Sequence, residues 1–449
     1  MEKPRRLFLK NLGLAGAAAV LTPSAFAKTP EAINFLERKT LESNNLKTLK
    51  IALIGAGGMG VADTNTALQH KNIELVAVCD LYDGRLNDAK NNWGSNLMLT
   101  KNYKDILKRA DIDAVIIGTP DFWHKKISID ALNAGKHVYC EKPMVHSVDE
   151  GHEIIDAWKK SGKVYIVGSQ GMSSLGNEKA KELLAAGAIG ELNYAEGFWA
   201  RNSPLGAWQY PIPKDASTKT VDWKNYLSIS KDLPFDPLRF FRWRNYLDYG
   251  TGMAGDLFVH LFSSLHFITN SLGPNKIAAM GGLRYWKDGR EVPDVLLGMF
   301  DYPDTKEHPA FNLSLRCNFV DGTSGTTYLK LVGSKGSMDV EWDRVTLKRN
   351  AGGSSDDPFL AEKAKEEGSI QSDRKTMEPP LTTVYNAQSG YRGAHYDHFA
   401  NFFHAIRNNG TVAEDPLFGF RAAAPALLCN DSYEKNAFIG WDPKNMKLI

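Results

Sequence analysis

Leu49-Lys50-Ile51-Ala52-Leu53-Ile54-Gly55-Ala56-Gly57-Gly58-Met59-Gly60 decides the fold of this 449-residue chain. Leu49–Ile54 is a short apolar run of the kind that forms a strand buried on both faces. It leads directly into Gly-x-Gly-x-x-Gly, and residues 58–70 then suit a helix. In that strand–turn–helix setting the glycines have separate roles. Gly55 permits a tight turn, Gly57 lets backbone approach a pyrophosphate, and Gly60 lets helix and strand pack closely. Gly58 and Met59 open the helix, whose unpaired N–H groups suit phosphates. A second strand, Ile73–Cys79, ends at Asp80, 20 residues beyond Gly60. A carboxylate there accepts hydrogen bonds from ribose hydroxyls and repels a 2′-phosphate, and no Arg or Lys fills the next four positions. The expected cofactor is NAD.

The same alternation continues outward. Runs at 113–118, 136–140 and 164–167 predict strands, with helices at 123–134 and 149–160. Strands alternating with helices indicate a parallel sheet. The pattern changes near residue 190. Residues 191–200 begin a different sheet, and 202–250 are rich in Pro, aromatics and charge. An apolar helix is expected at 252–269. Strands at 276–284, 294–302, 311–319 and 326–332 alternate partially, which suits an antiparallel sheet with one exposed face. Residues 349–388 read as a long surface loop, and 395–407 and 417–433 as helices. The expectation is an α/β chain: a Rossmann domain over 48–170, then an α+β domain over 171–449 with an open-faced, mostly antiparallel sheet.

The N-terminus adds an address. Arg5-Arg6-Leu7-Phe8-Leu9-Lys10 precedes an uncharged apolar run at 12–21 and a small-residue cleavage site, Ala25-Phe26-Ala27. This predicts a twin-arginine signal over 1–27, use of the twin-arginine export machinery, and a periplasmic protein. An uncleaved membrane anchor is the alternative. Residues 28–47 read as a polar arm. Of the net charge of +2, residues 1–27 supply Lys3, Arg5, Arg6 and Lys10 against Glu2, leaving the remainder near −1. That balance gives no support for nucleic acid or a polybasic membrane surface. Cys79, Cys140, Cys317 and Cys429 show no CxxC spacing and read as buried thiols. His395 and His398 have near-ligand spacing but no clear third ligand, so no metal is expected.

Thr119-Pro120-x-x-x-His124 closes the 113–118 strand, and Cys140-Glu141-Lys142-Pro143 closes the next. With the glycine fingerprint, these motifs resemble the Gfo/Idh/MocA family of glucose–fructose oxidoreductase and inositol dehydrogenase. Glu-Lys-Pro after that strand is the family's signature. Gly250-x-Gly252-x-x-x-Asp256-x-x-x-His260 resembles its glycine-rich entry to a helix carrying Asp and His four apart. The resemblance covers roughly residues 48–435, and 395–421 is similar to exported bacterial members. It implies a substrate cleft between a Rossmann domain and an open-faced sheet. It implies Lys142 as catalytic lysine, with Asp256 and His260 as substrate-binding and proton-shuttling pair. Thr119, Pro120, His124 and Glu141 would line the cofactor, and Gln170 would sit near the nicotinamide.

The residue types suit that chemistry on their own terms. Oxidising an alcohol needs a base for the hydroxyl proton, and a histidine near neutral pH serves. Asp256 and His260 at i and i+4 share a helix face. Lys142 can stabilise an alkoxide, and its removal should expose no buried partner charge if the cleft is solvated. Arg201 and Arg244, within and just after the aromatic-rich 199–243 stretch, are candidate substrate contacts.

The leading function is an NAD-dependent oxidoreductase acting on a sugar, cyclitol or glycoside, with the cofactor held tightly because free NAD is scarce outside the cytoplasm. The alternative is a redox-neutral glycosidase or epimerase. Glycoside-hydrolysing relatives carry their histidine in Tyr-Pro-Thr-His-Gly, whereas Leu257-Phe258-Val259-His260-Leu261 stands here. A non-enzymatic NAD-binding regulator is disfavoured by the presence of Lys142, Asp256 and His260. An open sheet face predicts a homodimer or homotetramer.

Overall fold

The computed structural model describes residues 31–36, 47–323, 325–350 and 380–449. The expected export signal lies outside the described residues, as does most of the arm. Residues 32–349 and 383–449 form one compact unit. The site described below lies within that unit.

Six strands form a parallel sheet: β2 (Leu49–Ile54), β3 (Ile73–Cys79), β4 (Met98–Thr100), β5 (Ala114–Ile117), β6 (His137–Cys140) and β7 (Tyr165–Val167). Their spatial order is β4-β3-β2-β5-β6-β7. The order reverses between β2 and β5, which is the switch point where doubly wound sheets bind ligands. β5 is buried at all four positions and β2 at all but Lys50, as expected of strands covered on both faces. Ile51, Leu53, Ala114, Ile116 and Tyr139 point to one side. There they meet Phe399, Phe402 and Phe403 of the helix Ala394–Asn408. Phe399 stacks on Tyr139 at 4.4 Å. Each such phenylalanine contributes about 1.5–3 kcal/mol by leaving water. A helix from the far end of the sequence thus covers one face of the N-terminal sheet.

The second sheet runs β1-β15-β14-β13-β12-β8-β11-β10-β9-β16-β17. Its strands are β1 (Glu31–Leu36), β8 (Leu192–Ala200), β9 (Lys276–Gly282), β10 (Val295–Tyr302), β11 (Phe311–Asn318), β12 (Thr327–Gly333), β13 (Gly336–Val340), β14 (Arg344–Arg349), β15 (Leu381–Ala387), β16 (Ile439–Asp442) and β17 (Lys447–Leu448). β8 pairs parallel with β11 and antiparallel with β12, and the other registered pairs in this sheet are antiparallel. Leu296, Phe300, Leu313 and Leu315 face inward and are fully buried. The helix Val259–Thr269 lies on them, with Phe262 edge-on to Phe300 at 4.8 Å. The outer face is a cross-strand row, Met280–Leu297–Arg316–Phe198–Tyr328, in register. Met280, Leu297 and Met299 are 75%, 43% and 53% exposed on that face.

β1 lies within the stretch read as an arm. β15 lies within the stretch read as a surface loop, so that expectation is corrected for residues 381–387. Only Thr383 of β15 is buried, and one inward side chain leaves almost no hydrophobic pattern to read. All four cysteines are free and buried.

Candidate active site

Strand register collects the candidate residues. Cys79, Ile54 and Ile117 lie level, Ile117 lies level with Cys140, and Cys140 with Val167. The residues that follow are Asp80, Gly55, Gly118-Thr119, Glu141-Lys142 and Gly168–Gln170, so the carboxyl ends of five strands open together. The cavity there measures 1220 Å³. That exceeds the roughly 300–1,000 Å³ of a pocket for one small ligand. Gly55, Gly57, Gly58, Met59, Asp80, Thr119, Pro120, Glu141, Lys142 and Gln170 line it, and Arg201, Arg244, Asp256 and His260 line it too.

The glycine loop has the shape a pyrophosphate needs. Gly55 takes φ +95°, and a Cβ there would stand 2.7 Å from the Gly118 carbonyl and the Thr119 nitrogen. A Cβ on Gly60 would meet the Gly55 oxygen at 2.1 Å, so Gly60 serves packing and does not line the cavity. By contrast, a Cβ on Gly58 meets nothing within 4 Å, and one on Gly57 meets only the Arg85 guanidinium at 3.9 Å. These two glycines leave room for a ligand and not for protein. Asp80 braces the loop: Oδ2 accepts from the Ala56 N–H at 2.8 Å and Oδ1 from the Tyr82 N–H at 2.9 Å. Arg85, five residues on, reaches Oδ2 at 3.5 Å. The Thr119 hydroxyl is buried without a partner among the described residues. An open cradle, a carboxylate at the ribose position and an orphaned hydroxyl fit NAD.

The other end of the cavity holds the candidate reacting groups. Asp256 sits in a π-helical turn, Ala254–Phe258, a local widening often found at functional sites. His260 follows in the first turn of the helix Val259–Thr269. Lys142 Nζ donates to Asp256 Oδ1 at 3.0 Å and to the Asp256 carbonyl at 2.7 Å. Arg244 Nε donates to the same Oδ1 at 3.0 Å. Burial favours the neutral acid, but the charges of Lys142, Arg244 and Arg201 hold Asp256 well below the usual carboxylate range. Lys142 therefore faces a buried carboxylate, and the sequence expectation of a solvated neighbourhood is corrected. Burial, then the Lys142 charge, depresses His260 well below its ordinary value. Its ring is neutral at pH 7 and lies stacked against Trp199 at 5.3 Å.

His124 does not line the cavity. It is buried, with Nδ1 2.7 Å from the Pro143 carbonyl and Nε2 3.0 Å from the Thr119 carbonyl. Burial opposes its charge, but Cys140, Asp121 and the Pro143 carbonyl raise its pKa to about 10. It ties together the two loops that carry Thr119 and Lys142.

Beneath the cavity lies an acid cluster that the sequence did not disclose. Burial and then Asp63 push Glu141 up to about 8, and Gln170 donates to it at 3.2 Å. Burial also raises Asp63, whose Oδ1 meets His395 Nε2 at 2.9 Å. His395 comes from the helix Ala394–Asn408 and lines the cavity, as does Trp342 from just beyond β13. His398 engages the Ser173 hydroxyl and the Val167 carbonyl at 2.8 Å each. Among the described residues no cluster of three His, Cys, Asp or Glu could hold a metal ion. Neither His395 nor Trp342 carries a local signal, since sequence-distant elements deliver both.

Comparison with known proteins agrees with this geometry. Residues 49–169 match the GFO_IDH_MocA oxidoreductase family, NAD-binding Rossmann fold. The chain is 29% identical over 237 residues to a glycosyl hydrolase family 109 protein of Shewanella baltica, covering 49% of this chain and 50% of that one. It is 28% identical over 237 residues to an alpha-N-acetylgalactosaminidase of Shewanella oneidensis, with the same coverage of 49% and 50%. The chain thus spans about half the length of the curated relatives it matches. Its fold is that of levoglucosan dehydrogenase in complex with NADH and levoglucosan, with TM-score 0.64 and 17% identity over 88% of this chain and 99% of that one. It is shared with an oxidoreductase from Agrobacterium radiobacter in complex with NAD+, L-tartaric acid and magnesium, with TM-score 0.63 and 14% identity over 89% and 100%.

Proposed function

We infer that this chain, which through residues 49–169 belongs to the NAD-binding Gfo/Idh/MocA oxidoreductases, moves hydride between a retained NAD and a sugar, cyclitol or glycoside. The observation that carries this is one continuous cavity. It runs from Gly57, Gly58 and Asp80 to Lys142, Asp256 and His260. Bound NAD supplies the hydride acceptor. The side chains do the rest. His260 is neutral and can take the hydroxyl proton. Lys142, fixed by two hydrogen bonds to Asp256, places its charge where an alkoxide would develop. Asp256 holds Lys142 and Arg244 in place through one oxygen, leaving the other for a neighbouring hydroxyl. Trp199 and Trp342 flank His260.

The test is product analysis with the NAD-loaded protein and a panel of free sugars, cyclitols and glycosides. Loss of two hydrogens from a substrate with its glycosidic bond intact supports the assignment. A cut glycosidic bond with no net oxidation supports the second reading, a redox-neutral glycosidase, which the family 109 relatives favour. The setting of His260, Leu257-Phe258-Val259-His260-Leu261, favours the first.

We further propose a boundary between cofactor and substrate domains near residue 170, and twin-arginine export to the periplasm. We also propose a homodimer or homotetramer that covers Met280, Leu297 and Met299. Light scattering that found only monomer would contradict the last.

A further inference from the structure

The reacting end of the cavity carries more positive charge than oxidation of a neutral sugar uses. Lys142, Arg201 and Arg244 line it against two carboxyl groups, Asp256 and Glu141, and burial, then Asp63, raises Glu141 to about 8, so it is mostly protonated at pH 7. A single Asp256 oxygen, Oδ1, accepts from both Lys142 and Arg244 at 3.0 Å. Arg201 donates Nη1 to the Gly206 carbonyl at 3.0 Å and lies over the Phe319 ring. Arg244 lies 4.2 Å from the Trp243 ring centre. The terminal nitrogens of Arg244, and Nε and Nη2 of Arg201, have no protein partner among the described residues. The next carboxylate, Asp121, is buried and gives Oδ2 to the Thr251 N–H and hydroxyl at 3.0 and 2.7 Å. With Glu141 protonated, cations outnumber ionised carboxylates there even when Asp121 is charged.

Lys142 alone meets the need for a cation at the reacting oxygen. Two further guanidinium groups, partly withdrawn from water, cost free energy unless a ligand brings the opposite charge. Their planar forks match a carboxylate or sulfate in two parallel hydrogen bonds. We propose that this cavity takes a saccharide bearing an anionic group, a carboxylate or a sulfate ester, held by Arg201 and Arg244 while Lys142, Asp256 and His260 address a ring hydroxyl. The reacting hydroxyl rests on the oxidoreductase assignment, whereas the anion site does not.

The experiment measures binding to the NAD-loaded protein by calorimetry. The ligands are methyl glycosides of glucose, galactose and mannose, their uronates and their 6-sulfates. In at least one ring series the charged member should bind about ten-fold or more tightly than its neutral parent, the worth of one charge-assisted hydrogen bond. Added salt should narrow the gap. Arg201→Gln should abolish it with bound NAD unchanged, and Arg244→Lys, which keeps a cation beside Asp256, should reduce it. Whichever charged arm gains identifies the group. Equal binding of neutral and charged members in every series overturns the proposal. So does a gap that survives Arg201→Gln, or no binding by any charged member. Turnover is scored separately. A charged saccharide that binds and is not oxidised counts against the oxidoreductase assignment alone, and a neutral glycoside oxidised without charge preference counts against the anion site alone.

Discussion

Lys142→Met separates chemistry from folding, and the structure sets its size. The ammonium donates to Asp256 Oδ1 at 3.0 Å and to the Asp256 carbonyl at 2.7 Å, with its side chain 9% exposed. Removing one partner of a fully isolated buried pair costs about 3–5 kcal/mol. Asp256 is not left isolated, because Arg244 still donates to the same oxygen at 3.0 Å. The expected loss is therefore about 1–3 kcal/mol, that of a hydrogen bond to a charged group. Adding Arg244→Met should cost more than the sum of the single losses, since Asp256 then has neither cation. Turnover of Lys142→Met should fall by about 10²–10⁴. Lys142 is, after burial, the next cause of the depressed His260 pKa. Its loss should raise that pKa and move the acid limb of any residual pH–rate profile upward. Urea unfolding of the NAD-loaded protein, cofactor content and turnover together check this. Near wild-type turnover would refute the site assignment. Additive losses in the double variant would refute the shared-carboxylate argument.

Gly57→Val should leave the fold intact and empty the cofactor site, because a Cβ there meets only Arg85 at 3.9 Å on the protein side. A refolded variant that retains NAD would contradict the cradle. Stability should fall as pH rises from about 7 to 8. Burial raises the folded pKa values of Glu141 and of Glu414, which accepts from the Ser263 hydroxyl at 2.8 Å, to about 8, and that of His124 stands at about 10, so the folded chain holds protons that the unfolded chain has released. The slope should reach about 1.4 kcal/mol per pH unit for each proton. The depressed His137, at about 4, acts in the opposite sense and only below its ordinary value of 6.5. A flat denaturation midpoint from pH 7 to 9 would exclude the raised groups. Arg5→Lys with Arg6→Lys should strand the protein in the cytoplasm, measured by fractionation.

The parallel sheet was legible because its strands are nearly continuous apolar runs, and because Gly55, Gly60 and Asp80 each answer a geometric demand of the first turns. Lys142, Asp256 and His260 were legible as motif residues, and the sequence placed them at strand ends or on a helix face. What it could not show was that Lys142 and Arg244 share one buried oxygen, since that contact spans the two halves of the chain. β13, β14 and β15 were not read as strands: β13 is short and opens on Gly336, β14 is charged at Arg344, Lys348 and Arg349, and β15 buries only Thr383. His395 was considered only as a metal ligand. Its bond to Asp63 depends on a helix that returns 332 residues later to cover the N-terminal sheet. The π-helical turn at Ala254–Phe258 has no periodic signature at all.

The central claim is hydride transfer between retained NAD and a carbohydrate. The most direct measurement is the near-ultraviolet absorbance of the purified protein, with no cofactor added, on mixing with the saccharide panel. A reduced-nicotinamide band that grows to no more than one per chain, and that Lys142→Met suppresses, is the result predicted. A substrate consumed with no such band at any time in a stopped-flow record would contradict it.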